Sequence, residues 1–233
     1  MSGFDRYATG YKAVLDQSLG PWGASAEPFA DSKAWYAARL VGVGFAGKVL
    51  DFGCGVGLVS RRLKRYLPAA SVNGYDESRA SIELVDAELL AQGVFTSDRR
   101  DLCTDYDLIV VANVLHHVEP KHRQALCRDL YARLVPGGRL LVFEHNPFNP
   151  LTRWVVHRCP LDRDAILLAP QETVGHVRRG GFQSVNREYV TFFPRPSAWS
   201  RSIERWLGWC PLGAQYAVVG LKGGEGSPDD IIR

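Results

Sequence analysis

The segment Val49-Leu50-Asp51-Phe52-Gly53-Cys54-Gly55-Val56-Gly57 constrains this chain more than any other. A short apolar run enters a loop in which every second residue is glycine. Residues 58–67 then carry helical spacing up to Pro68. Glycines let the backbone turn sharply and approach a ligand with no Cβ in the way. A strand that feeds a helix through such a loop returns to a parallel neighbour by a right-handed crossover. The chain then repeats the alternation. Residues 71–75 read as a second strand, 81–91 as a helix closed by Gly93, and 94–97 as a third strand. YDLIVVA at 106–112 is the near-continuous apolar run of a strand buried on both faces. Pro120 opens a helix to residue 134, Pro136-Gly137-Gly138 forms a turn, and 140–144 is a fifth strand.

Beyond Glu144 the pattern changes. Residues 146–170 read as loop and short helix, broken by Pro147, Pro150, Pro160 and Pro170. A helix over 172–179 ends at Gly180-Gly181, a strand spans 185–193, and a last apolar strand spans 215–221. Between these two strands lies an aromatic-rich insertion at 195–209, helical in part. The spacing predicts an α/β fold: a doubly wound, mostly parallel seven-stranded sheet with an antiparallel edge hairpin and helices on both faces.

Asp76 lies 19 residues beyond Gly57, at the end of the second predicted strand. A carboxylate there accepts two hydrogen bonds from a ribose diol, so loop and acid together specify a nucleoside-type cofactor. A dinucleotide site wants its third glycine one position later, inside the helix. Asp51, two residues ahead of the first glycine, is unhelpful to a pyrophosphate. It suits a cationic ligand that carries an ammonium and a sulfonium.

Charge and cysteine usage narrow the field. The net charge of +3 arises from residues 151–200, where seven Arg face four acids; no basic tail or long basic run is present. That argues against non-specific nucleic-acid binding as the main activity. The five cysteines are scattered without a Cys-x-x-Cys, so neither a disulfide framework nor a structural zinc site is expected, and a reducing, cytoplasmic setting is. No apolar run reaches membrane-spanning length, and residues 1–10 hold no apolar core of a secretory signal.

The matching pieces VLDFGCGVG at 49–57, YDES at 75–78, YDLIVVANVLHHV at 106–118 and LVPGGRLLVFEH at 134–145 resemble the class I S-adenosylmethionine-dependent methyltransferases, in that family's order and spacing. The chain is most similar to the small-molecule, type 11-like group. The resemblance implies the Rossmann-like methyltransferase fold, S-adenosylmethionine as cofactor and S-adenosylhomocysteine as product. It implies that Asp51, Gly53 and Gly55 line the methionine part. It also implies that Asp76 holds the ribose hydroxyls, that Asp98 approaches the adenine amino group, and that Asn113 and Val114 lie beside the sulfonium; Cys54 and Glu77 are further expected cofactor contacts. The expected organisation is one domain over 1–222. Within it, 1–45 form a helical lid, 46–145 a cofactor-binding core, and 146–213 carry substrate-cap insertions; 223–233 form a tail.

Other roles follow from residue chemistry. Phe4, Tyr7 and Tyr11 share a helical face; in similar enzymes such a segment closes over the cofactor, so Tyr7 and Tyr11 are expected cofactor contacts, the alternative being a helix docked on the core. His116, His117 and His145 are candidate bases, each at the C-terminal end of a predicted strand. Arg153, Trp154, His157 and Phe193 are candidate contacts to an apolar or aromatic acceptor, with arginine available for a negative group. No metal is expected, because adjacent histidines at a strand end diverge and no carboxylate partner is evident. Trp199, Ile203, Trp206 and Leu207 give 197–209 an amphipathic side suited to peripheral membrane contact. The expected activity is methyl transfer to a small organic acceptor, with O-methylation favoured and no nucleic-acid partner. The competing readings are a lipid-linked, RNA or protein acceptor and a non-catalytic cofactor-binding scaffold.

Overall fold

The computed structural model describes residues 5, 10–19, 25–42, 44–193 and 197–224. Two helices, α1 (Tyr11–Leu19) and α2 (Ala26–Val41), precede β1 (Lys48–Phe52), α3 (Leu58–Tyr66), β2 (Ser71–Tyr75), α4 (Arg79–Ile82), α5 (Ala87–Gln92) and β3 (Phe95–Thr96). Then follow β4 (Tyr106–Ala112), α6 (Pro120–Arg133), β5 (Leu134–His145), α7 (Pro150–Arg158), α8 (Pro170–Arg179), β6 (Gln183–Val190), α9 (Ala198–Leu207) and β7 (Gln215–Leu221). The sheet order is β3-β2-β1-β4-β5-β7-β6. Strands β1 to β5 are parallel, and β7 pairs antiparallel with both β5 and β6, forming the expected edge hairpin.

The period of two along each strand divides the core into two layers. Leu50, Phe52, Ile109, Val111, Leu140 and Val142 face α6 and α8, where Leu126, Leu130 and Val177 meet them. Val49, Leu108, Val110, Leu141 and Phe143 face α2 and α3, against Ala34, Ala37 and Leu63. Leu108 to Val111 are each 0% exposed, which is why β4 reads as an uninterrupted apolar run. Each such side chain contributes about 1.5–3 kcal/mol by leaving water.

Three local readings are corrected. The helix expected over 81–91 is two short ones, because Ser78 caps α4 and Asp86, accepting from the Glu88 amide, opens α5. Gly93 closes α5 as expected, in an extended conformation; a Cβ there would lie 1.9 Å from the Val72 carbonyl oxygen, so close backbone approach requires the glycine. Residues 136–138 are not a separate turn ahead of β5. They form an irregularity within it, with Gly137 at φ +79° and its amide bonded to the Lys222 carbonyl. Strand β6 stops at Val190, where Thr191 takes φ +63°. Among the described residues no helix is long and apolar enough to cross a membrane. All five cysteines are unpaired.

Candidate active site

A cavity of about 450 Å³ lies over the C-terminal ends of β1 and β4, where the strand order reverses direction. Its first wall is the glycine loop. Gly53 sits at φ +80° and, with Cys54, donates its amide to the Tyr75 carbonyl at 2.7 and 2.9 Å. A Cβ on Gly53 would fall 2.3 Å from Val114 Cγ2, so the loop closes directly on the end of β4. Asp51 is fully buried: Oδ2 accepts from Ser60 Oγ at 2.6 Å and Oδ1 has no partner. Burial pushes its carboxyl up to about 6. Asp76 accepts the Gly55 amide on Oδ2 (2.8 Å) and the Ser78 amide on Oδ1 (2.9 Å), which leaves lone pairs on both oxygens. Lys33, reaching in from α2, is lowered by burial to about 8, against the opposing pull of Glu144 and Asp51. Arg99 lies over the Phe52 and Tyr75 rings, at 5.3 and 5.5 Å.

The opposite wall begins at Asn113, the residue after β4, at φ +60°. Its Oδ1 accepts from Gln215 Nε2 at 2.9 Å, while the buried Gln215 Oε1 has no partner. A 3₁₀ turn, Leu115–His117, then carries both histidines. Glu144 is buried beneath it, accepting the Val114 and Leu115 amides at 3.1 and 2.7 Å and pairing with His116 Nδ1 at 2.5 Å. Asp162, beyond α7 in the chain, closes the group: its Oδ1 lies 3.3 Å from His116 Nε2 and 3.4 Å from His117 Nε2, and its Oδ2 lies 4.0 Å from His145 Nε2.

Burial alone would strip His116 of its proton, but Glu144 and Asp162 hold it at about 9. His145 is pushed the other way, to about 4, by burial and the neighbouring His116 charge. Asp162 is held well below the usual carboxylate range: burial opposes this, and the adjoining imidazoles override it. The segment around Asp162 is pinned there by hydrogen bonds. The Ile166 amide donates to the His116 carbonyl (2.8 Å), and the buried Arg123 guanidinium donates to the carbonyls of Val118 and Ile166 (2.9 and 2.7 Å). Leu151, Val155, Leu161, Phe192 and Leu212 complete an apolar compartment around this end of the cavity.

Residues 50–140 match a family model described as a methyltransferase domain. A ubiquinone biosynthesis O-methyltransferase from Cereibacter sphaeroides is 27% identical over 174 residues, covering 66% of this chain and 68% of that protein. A carboxy-S-adenosyl-L-methionine synthase from Aeromonas salmonicida is 29% identical over 118 residues, 45% of this chain and 48% of that protein. A SAM-dependent methyltransferase of known structure from Archaeoglobus fulgidus shares the fold, with a TM-score of 0.67 at 13% identity over 91% of this chain and 100% of that one. The chain is an S-adenosylmethionine-dependent methyltransferase, and these likenesses support the class I group. S-adenosylmethionine is its cofactor, and the residues present suit it: a buried, unpartnered carboxylate oxygen of Asp51 stands beside the glycine loop, as an ammonium group requires.

Most of the residues singled out in the sequence line this methyltransferase's cavity: Asp51, Gly53, Cys54, Gly55, Asp76, Glu77, Asn113, Val114, His117 and His145. Others do not. Asp98 caps a 3₁₀ turn and pairs with Arg100, so its neighbour Arg99 faces the cavity instead. His116 is sealed behind the wall at 1% exposure. On α7 the helical period puts Leu151, Thr152, Val155 and Cys159 inward and turns Arg153, Trp154 and His157 to solvent. Phe193 packs on Trp199, and Phe192 takes the cavity-facing position. Trp199, Trp206 and Trp209 are 63, 82 and 77% exposed, outside the cavity. Leu15, Ser18 and Leu19 of α1 line it, whereas Tyr7 and the Tyr11 side chain lie outside the described residues. Adjacent histidines do not diverge here, because the 3₁₀ turn brings both Nε2 atoms onto Asp162. Sequence reasoning missed Lys33, Asp162 and Gln215, which sit in no motif. It also missed the role of Glu144, which only its backbone partners reveal.

Proposed function

We propose that this methyltransferase transfers a methyl group to a hydroxyl oxygen of a small apolar or aromatic acceptor. The observation that carries this reading is the cavity itself. It runs from the glycine loop into an apolar compartment whose charged side is the histidine–aspartate cluster. When bound, S-adenosylmethionine supplies an activated methyl on a sulfonium, so the protein's task is alignment, dehydration and removal of the acceptor's proton. Asp51 Oδ1 would receive the cofactor's ammonium, and the remaining lone pairs of Asp76 would receive the ribose hydroxyls. Asn113, held by Gln215, and Val114 would flank the reacting carbon. Leu151, Val155, Phe192 and Leu212 would exclude water and hold the acceptor ring, with α1, α7, Thr191 and Ala214 completing the lid and cap.

Asp162, with its histidines, is where the acceptor's hydroxyl would lose its proton. The likeness to an O-methyltransferase of ubiquinone biosynthesis, an enzyme named for an oxygen nucleophile, supports this choice. Unpaired cysteines, one of them exposed, support a reducing, cytoplasmic setting. The test is calorimetric titration with S-adenosylmethionine, S-adenosylhomocysteine and NADH, followed by a screen of phenols and amines for labelled-methyl uptake. The two sulfur nucleosides should bind, NADH should not, and phenols should take up label. Methylation confined to nitrogen or carbon would overturn the oxygen assignment.

A further inference from the structure

The cluster at the acceptor end has a geometry that hydrogen bonding does not account for. His116 Nδ1 is committed to Glu144. Its Nε2 is sealed from solvent and pairs with Asp162 Oδ1 at 3.3 Å as an ion pair only, not aligned as a hydrogen bond. His117 Nε2 stands 3.4 Å from Asp162 Oδ1, and one donor atom from each of His116, His117 and Asp162 lies within 4.8 Å of the others. A tetrahedral ion with bonds of about 2.0–2.1 Å has donor–donor edges of about 3.3–3.4 Å. The two edges that meet at Asp162 have that length.

A second feature points the same way. A histidine that ligates a metal through one nitrogen donates the other to a carboxylate, which fixes ring and tautomer. Glu144 does this for His116 and is itself anchored by two backbone amides.

We propose that His116, His117 and Asp162 bind a divalent transition-metal ion of the zinc type at the cavity wall. Two imidazoles and one carboxylate suit zinc, cobalt or ferrous iron; magnesium and calcium take oxygen donors. Binding releases to solvent the Nε2 proton that the two carboxylates otherwise hold on His116. Three protein ligands are the complement of a catalytic site that keeps a position open. His117 and Asp162 line the cavity, so an ion bridging them borders the acceptor compartment. Its role, though not its existence, rests on the O-methylation reading. An ion there draws electron density from an acceptor hydroxyl, whose proton leaves to water. The oxygen's electron pair then forms the new C–O bond as the S–C bond breaks. The positive charge of the sulfonium is lost, and an ether and S-adenosylhomocysteine remain. His145, opposite the other Asp162 oxygen, closes the wall beside this position.

The test is titration of the chelator-treated full chain with Co²⁺, read by the visible absorption of a four-coordinate site, alongside calorimetry with S-adenosylhomocysteine. One Co²⁺ should bind per chain, displaced by Zn²⁺ and not by Mg²⁺. Asp162→Asn and His117→Ala should each weaken Co²⁺ binding by more than the about 10–100-fold that loss of an outer partner costs. Both variants should keep wild-type S-adenosylhomocysteine affinity, which shows them folded. A wild-type chain that binds S-adenosylhomocysteine but no Co²⁺ overturns the proposal, as do folded variants that bind Co²⁺ like wild type. Co²⁺ binding without S-adenosylhomocysteine binding upholds the metal site and overturns the cofactor placement instead.

Discussion

Replacing Asp51 by asparagine should make the ligand-free protein more stable and a poorer cofactor binder. Asp51 is fully buried, has a hydrogen bond on one oxygen only, and is raised by burial from 3.8 to about 6. At about 1.4 kcal/mol per tenfold change in proton affinity, keeping it ionised in the folded state costs about 3 kcal/mol. The asparagine removes that charge while its amide oxygen can still accept from Ser60. Its NH₂ group, facing the unpartnered position, costs about 1–2 kcal/mol in return. The net gain expected at pH 8 is about 1–2 kcal/mol, measured from urea midpoints of the two proteins.

The pH dependence has a definite sign. The folded-state pKa lies above the unfolded one, so the folded wild type holds a proton through the window between 3.8 and about 6 that the unfolded chain releases. Wild-type stability from this group is therefore greatest at low pH and is lost as pH rises through the window. The variant's advantage should be complete at pH 8 and close to nil at pH 5. The function is expected to suffer in the opposite sense. Loss of a charge-assisted bond to the cofactor's ammonium should weaken S-adenosylhomocysteine binding about 10–100-fold, the scale of about 1.5–3 kcal/mol. A variant less stable than wild type at pH 8, or one with unchanged affinity, would refute the reasoning.

Two further outcomes are expected. Asp76→Ala should lower cofactor affinity by about 1.5–3 kcal/mol in calorimetry, and wild-type affinity would show that the ribose lies elsewhere. Gly53→Ala places a side chain at φ +80° and a Cβ 2.3 Å from Val114 Cγ2. The left-handed conformation costs about 1–2 kcal/mol and the overpacking about 1–3 kcal/mol, so the urea midpoint should fall by an amount equivalent to about 2–5 kcal/mol. A shift worth less than about 1 kcal/mol would mean that Val114 moves aside freely.

The core was legible in the sequence wherever one stretch of chain carries its own signal. Strand β4 is buried on both faces, so it appears as YDLIVVA; the glycine loop needs left-handed backbone at Gly53, Gly55 and Gly57, so it appears as alternate glycines. The helix over 81–91 misled because Asp86 competes as a cap, an outcome decided by one side chain against its neighbours' periodicity. Arg153, Trp154 and His157 misled because residue chemistry does not say which face of α7 turns inward.

The doubly wound sheet and the placement of Asp51 and Asp76 at its ligand-binding edge were thus written locally, in strands and turns that each specify themselves. The acceptor end was not. Lys33, His117, His145, Asp162 and Gln215 come from five separate parts of the chain and share no spacing. Asp162 reaches His117 only because Arg123 and the His116 carbonyl bind the backbone at Ile166 and hold that segment against the 3₁₀ turn. Contacts between residues distant in sequence leave no periodic trace in the chain, and packing alone brings these charges into one site.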